Sequence, residues 1–417
     1  MPSKYKRLGD YIQEVNIRNR DLNNIPLLGV SIRKVLMPSI ANIIGTDMST
    51  YKLIQNNQFA YGSVTSRNGD KISIALLEEY DSAMVSQAYT VFEVIDEIEL
   101  LPEYLMMWFR RPEFDRYARF MSHGSAREIF SWTEMCETLL PIPSIEKQKE
   151  IVREYNTIQN RITLNNQLIS KLEETAQAIY KQWFVDFEFP GENGKPYRSN
   201  GGKMVWSEEL DREIPEGWEL FSFSNICEIG SSKRIYEHEY CEIGIPFYRG
   251  KEITLKKNGL PIREPYFISH DRYNELVKKY GKPFEGDILL TAVGTIGSSY
   301  MVSNEDFYFK DGNIIWLKNF KNQFLNYFIY DFMQTDLFNK LIDEITIGST
   351  QSAITITTLN EQKIIMPTIN VLEEYSVVSR LLNQNRFSKI QENEKLDELK
   401  ELLLAKLTRV ETKTQLA

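Results

Sequence analysis

The chain repeats itself once along its length. Tyr104 to Phe109, Gly124-Ser125-Ala126 and Pro143-Ser144-Ile145 reappear about 224 positions later as Tyr327 to Phe332, Gly348-Ser349-Thr350 and Pro367-Thr368-Ile369. Solenoid repeats recur every roughly 20 to 50 residues, so a period this long marks two copies of a whole module. Two modules of one design imply two similar binding surfaces. After each copy the apolar pattern becomes that of a long charged helix, and the expected order is globule, rod, globule, rod.

In the first rod Ile151, Tyr155, Ile158, Ile162, Asn165, Ile169, Leu172, Ala176, Ile179 and Trp183 alternate in steps of four and three. That spacing is a coiled-coil seam with one polar member, Asn165. Ser144 is placed to cap the helix, and Glu146 and Glu150 favour its first turns. From Ile145 to Trp183 the helix is expected to run about 60 Å at 1.5 Å per residue. In the second rod Leu396, Leu399, Leu403 and Leu407 form a stripe, while Leu382, Arg386 and Lys389 interrupt the pattern upstream. Such a seam either joins two chains or pairs the two rods antiparallel within one chain. Because duplication gives each rod a partner in the same molecule, the intramolecular pairing is expected, with Asn165 helping to fix register.

Pro190 to Gly202 is a turn-rich connector without periodicity. The globules mix short β-like runs (Lys71 to Leu77, Tyr89 to Ile95, Asp287 to Ala292, Asn313 to Leu317) with helical stretches at Pro102 to Arg119 and Gln323 to Ile342. Each reads as α+β with a twisted sheet. Their loops are rich in Gly, Ser, Thr, Asn and cations, which suit hydrogen bonding to phosphates and base edges. The candidates are Ser66, Arg67, Asn68 and Arg127 in the first globule, with Lys34 from its basic start, and Lys233, Arg234, Arg249, Lys251, Thr295, Ser298, Thr350 and Gln351 in the second.

A net charge of −9 argues against a uniformly nucleic-acid-binding surface. The distribution differs from the total: Lys4, Lys6, Arg7, Arg18, Arg20, Arg33 and Lys34 crowd the start of the first globule, and acidic residues collect on the rods. Cys136, Cys227 and Cys241 form no disulfide framework and are expected to be packed thiols. No apolar run approaches the roughly 20 residues that span a bilayer, and no signal-peptide core follows Met1, so the cytoplasm is the expected compartment. No cofactor fingerprint, Walker lysine, metal-ligand cluster or nuclease carboxylate set is recognisable. The residues thus leave open a nucleic-acid reader or a coiled-coil adaptor with two protein- or peptide-binding modules.

Leu168 to Phe187, Gly201-Gly-Lys-Met204 and Glu213-Ile-Pro-Glu-Gly-Trp218 resemble the region joining the two target-recognition domains of type I restriction-modification specificity subunits. Leu140 to Gln148 and Gly286 to Gly297 are similar to that family's domain-closing and sheet motifs, and Ser86 to Phe92 to a recurrent strand, with Gln87 where proline is common. The resemblance implies target-recognition domains at 1–143 and 213–368, a central long helix at 144–189, a linker at 190–212 and a C-terminal long helix at 369–411. It implies a non-catalytic reader of double-stranded DNA whose two domains each bind half of a split, asymmetric target while the helices set the gap. Two modification subunits binding S-adenosylmethionine and two ATP-driven, magnesium-dependent restriction subunits would be its partners, with no cofactor in this chain and no membrane.

Overall fold

The computed structural model describes residues 5–40, 45–65, 71–123, 128–191, 193–346 and 352–407. The protein is α+β, with two sheet-rich modules and a long helix, Ile145–Tyr180, between them in sequence. It divides into two compact units, one of residues 1–162 and 396–417 and the other of residues 163–395.

In the first unit an antiparallel sheet runs in the order Ile12–Val15, Thr90–Val94, Phe59–Gly62, Ser73–Leu76. A second sheet has the order Leu36–Pro38, Leu27–Val30, Ser82–Val85, Lys52–Gln55, and its central pair is parallel. The strands are short and apolar on the core face, where the Phe59 and Phe92 rings stack at 4.7 Å and both meet Phe109 edge-on. The helical stretch from Pro102 is two helices, Pro102–Arg110 and Pro112–Phe120. Pro112 forces the extended backbone seen at Arg111 and opens the second helix, where its missing N–H costs nothing. Ser131 and Glu134 then start Trp132–Glu137 with a reciprocal capping box.

The second unit repeats the antiparallel sheet and differs in the outer strands of the other one. Its antiparallel sheet has the order Glu228–Gly230, Ile314–Lys318, Ile288–Thr291, Ser299–Met301, which matches the first sheet strand for strand. The other sheet, Tyr240–Cys241, Tyr266–Ile268, Ile245–Tyr248, Tyr308–Phe309, again contains one parallel pair, Ile245–Tyr248 with Tyr308–Phe309. In each unit a ladder joins the module's start to its end: Tyr5–Arg7 with Leu139–Pro141, and Glu219–Ser222 with Lys363–Met366. The stretch from Gln323 is likewise two helices, Leu325–Phe332 and Asp336–Ile345, the latter capped by the Thr335 hydroxyl, which accepts from Phe338 N. The 190–212 connector contains a strand, Met204–Ser207, that pairs with Arg212–Pro215.

Every seam position expected in the central helix, from Ile151 to Trp183, is buried or half-buried. Its α-helical hydrogen bonding ends at Tyr180 and continues as a π-turn, Lys181–Val185. That turn aims Phe184 and Phe187 at Trp218, 5.9 and 5.5 Å between ring centroids, and Phe189 stacks on the same indole at 5.1 Å. The aromatic residues of the central motif therefore form one cluster.

The C-terminal helix, Ile369–Lys406, departs from the expected pattern. Its buried positions include Leu372, Ser376, Ser379, Asn383, Arg386, Ile390 and Asn393, in alternating steps of four and three, then Leu404 eleven residues on, with Leu407 just past its end. The stripe is therefore not interrupted at Arg386, and polar side chains simply occupy it. Leu399 is off the stripe and 51% exposed. Within the second unit Asn165 Nδ2 donates to Asn393 Oδ1 at 2.9 Å, Asn393 Nδ2 donates to Asn166 Oδ1 at 2.8 Å, and Arg386 meets Glu173 at 2.6 Å. Numbers descend on one helix as they rise on the other, so the contacts run antiparallel. In the first unit Tyr155 packs in one apolar cluster with Leu403, Leu404 and Leu407.

Two buried polar devices join helices to modules. Gln148 is fully buried, donating to the carbonyls of Glu99 and Pro143 at 2.8 and 2.9 Å and accepting from Leu101 N at 2.9 Å. In the second unit buried Asp331 accepts from Tyr375 Oη at 2.7 Å, Asn383 Nδ2 at 3.0 Å and the Ser379 hydroxyl. Burial pushes the Asp331 carboxyl above the ordinary range, against the pull of those donors.

Candidate nucleic-acid interface

In the second unit the parallel pair Ile245–Tyr248 and Tyr308–Phe309 ends with Tyr248 opposite Phe309, so Arg249 and Lys310 leave the sheet side by side. Asp311, next in line, accepts from Arg234 Nε at 3.1 Å. Lys233, whose backbone N–H donates to the Tyr308 hydroxyl, lies over the Tyr280 ring at 5.1 Å. Arg249 precedes the helix Gly250–Lys257, on which Lys251 is exposed. A Cβ at Gly250 would lie 3.7 Å from the Val293 carbonyl, which puts this segment against the Thr291–Ser298 loop.

That loop is a tight connection between strands rather than a strand-to-helix turn. Ser298 N donates to Thr291 Oγ1 at 3.0 Å, and Gly297 N donates to the Thr291 carbonyl at 3.0 Å. Gly294 and Gly297 take φ of 81° and 85°, a region that excludes most side chains. The pinned loop exposes Thr295 and buries Ser298. Val293 bridges Ala353, so the segment flanking the Thr350–Gln351 candidates begins beside it. Arg234, Arg249, Lys251 and Thr295 are thus gathered at one end of the second unit's sheets. Thr350 and Gln351 lie outside the described residues.

In the first unit Ser66, Arg67, Asn68 and Arg127 lie outside the described residues. Their flanks are paired: Thr65 N donates to the Glu128 carbonyl at 3.0 Å, Thr65 and Ser122 share a hydroxyl hydrogen bond at 3.0 Å, and Val64 bridges Ile129. The described residues on either side of the Ser66–Asn68 and Arg127 candidates are thus paired with each other, as Val293 is with Ala353 in the second unit.

Lys34 does not face solvent. Only 4% exposed, it donates to the Phe109 carbonyl and lies 2.7 Å from Asp115. Burial lowers its ammonium pKa, against the pull of Asp115. The rest of the basic start is also largely engaged: Arg7 pairs with Glu137 and Asp10, and Arg18 donates to the Thr50 carbonyl, whereas Arg20 and Arg33 are exposed. Of the thiols Cys227 is buried, Cys136 half-buried and Cys241 exposed, so the last is not a packed thiol. Among the described residues no helix is long and apolar enough to cross a membrane.

The family described as the type I restriction modification DNA specificity domain matches residues 17–174 and again residues 215–401. Most of both modules and of both helices falls inside those spans. The chain belongs to the family of type I restriction-modification specificity subunits. It is 28% identical over 326 residues to the type I restriction enzyme MjaIX specificity subunit of Methanocaldococcus jannaschii, covering 75% of this chain and 70% of that protein. It is 26% identical over 210 residues to a putative type I restriction enzyme specificity subunit of Haemophilus influenzae, covering 50% of this chain and 48% of that one. The fold is that of the type I restriction-modification S subunit from M. genitalium, with a TM-score of 0.57 at 13% identity over 98% of this chain and 96% of the other.

Gln148 closes the Leu140 to Gln148 motif, whereas loop composition singles out neither Glu252 nor Asp311. Each is an acidic residue whose partner is set by folding, and only Glu252, three residues after Arg249, carries a local signal, that of a helix-start box.

Proposed function

We propose that this chain is the non-catalytic DNA-reading subunit of a type I complex, and that residues 1–143 and 213–368 each read one half of an asymmetric, split duplex target. The observation carrying this is the double match to the specificity family, one match per module, over two units that share the strand order of one four-stranded antiparallel sheet. The two long helices pair as an antiparallel coiled coil and set the gap between the half-sites, a reading supported by the Asn165–Asn393 and Glu173–Arg386 contacts. Two modification subunits, which carry S-adenosylmethionine, dock on the helical regions and methylate adenine, and two restriction subunits supply ATP- and magnesium-dependent cleavage. The complex works in the cytoplasm, where its DNA is. The acidic total fits this division, since much of the surface meets protein and the DNA meets only the loops gathered at the sheet ends.

The test is exchange. Replacing residues 213–368 by the equivalent domain of another specificity subunit, and sequencing the methylated sites made by the reconstituted complex, should change one half of the target and leave the other. A change in both halves, or methylation by the chain without partners, would overturn the reading.

A further inference from the structure

Arg249 is held on three sides. Its Nε and Nη2 donate to the two carboxylate oxygens of Glu252 at 3.2 and 3.1 Å, and its backbone N–H donates to Glu252 Oε2 at 2.9 Å. The guanidinium lies 4.0 Å from the centroid of the Tyr266 ring. Glu252 is 2% exposed, while the Arg249 side chain keeps 31%. Burial alone would raise the Glu252 carboxyl, but the hydrogen bonds from Arg249 outweigh it and keep the carboxylate charged. The ion pair has its anion inside and part of its cation outside.

This geometry restricts what Arg249 can meet. With the Nε edge taken, the guanidinium has its Nη1/Nη2 end left to donate, as a planar fork already fixed in orientation. A fork fits either a phosphate or a pair of adjacent base acceptors. The charge decides between them, because buried Glu252 neutralises Arg249 locally and would repel a phosphate, whereas a neutral base edge meets no such penalty. In the major groove guanine alone presents two adjacent acceptors, O6 and N7. Lys251, two residues on, is exposed and suits the backbone.

Resting on the proposed reading that residues 213–368 recognise half of the target, we infer that Arg249 reads a guanine in that half-site and that Glu252 is its positioning residue. The experiment uses the chain assembled with its modification subunits and duplexes of the methylated target. Substituting 7-deazaguanine for one guanine of that half-site, which removes N7 alone, should weaken wild-type binding about 10-fold at one position. Arg249→Ala should lose about 10- to 100-fold in preference for that G·C pair and become insensitive to the 7-deaza substitution, with its salt dependence unchanged. Glu252→Gln should show partial loss of the same preference together with stronger binding to random DNA, which a merely structural role would not produce. The inference is overturned if the half-site contains no guanine, if wild type tolerates 7-deazaguanine at all its guanines, or if Arg249→Ala weakens all sequences equally and flattens the salt slope. The 7-deaza arm needs no variant, so a misfolded mutant cannot hide the answer. A wild-type complex with no sequence preference would instead sink the functional reading itself.

Discussion

Asn165 and Asn393 are 2% and 5% exposed and face each other across the two helices, so the pair can be tested as a unit. Asn393→Leu removes the acceptor of the Asn165 amide and leaves a buried donor unpaired, at a cost of about 1 to 3 kcal/mol. The bond from Asn393 to Asn166 is lost too, but Asn166 is exposed and water replaces it. Asn165→Leu should cost somewhat less, about 1 to 2 kcal/mol, since Asn393 retains Asn166. Replacing both by Leu leaves no orphan, and the double variant should lie within about 1 kcal/mol of wild type or above it. The interaction energy from the cycle should then be at least about 1 kcal/mol, well outside the roughly 0.3 to 0.5 kcal/mol scatter of independent sites. Urea unfolding with tryptophan fluorescence measures this, with a shared m-value as the check that only stability has changed. Additive losses in the double variant would refute the argument, because they would mean that the two amides do not depend on each other. A polar pair also restricts the partner a helix accepts, so the Leu–Leu variant should form concentration-dependent dimers in sedimentation velocity that wild type does not.

Asp331→Ala should cost about 3 to 5 kcal/mol, because three buried donors lose their acceptor at once, and the loss should appear in the unfolding of the second unit. Burial raises the folded pKa of Asp331 above its ordinary 3.8, so the folded state binds this proton more tightly than the unfolded chain does. Its contribution is full below the ordinary value and lost as pH rises through the folded one; the stability of wild type relative to Asp331→Asn should therefore grow as pH falls from neutrality towards 4, and a flat or opposite trend would refute the assignment. Inserting four residues near Asn165 adds about 6 Å of helix and turns it only about 40° past one full turn. If the helices set the gap, the unread spacer should grow by roughly one to two base pairs at about 3.4 Å each, with both half-sites unchanged in the methylated-site sequence.

The duplication, the central helix and the polar member of its seam were legible in the sequence because each is a local or periodic signal. Apolar side chains at Ile151, Tyr155, Ile158 and Ile162 announce a buried face whatever they pack against, and two like modules announce two like sheets. Periodicity of hydrophobicity fails where burial is bought with polar contacts. The C-terminal helix buries Ser379, Asn383, Arg386 and Asn393, and each is tolerated there only because Asp331, Tyr330, Glu173 or Asn165 comes from elsewhere in the chain to satisfy it. Leu399 fell on the wrong side of the helix for the same reason: its stripe was defined by polar neighbours that hydropathy does not count.

The same distinction separates Lys34 from Arg249. As residue types both are cations in or beside a polar loop, and the sequence alone ranks them together. Folding brings Asp115 and the Phe109 carbonyl to Lys34 and removes it from solvent, whereas it sets Glu252 and Tyr266 around Arg249 and leaves one end of the guanidinium outside. The sequence determined that this chain would build two modules and two rods, since repetition and periodicity need no partner to be read. Which charges became structure and which remained available for recognition was decided only by tertiary contacts, because a buried charge is stable only where a group distant in the chain arrives to pair with it.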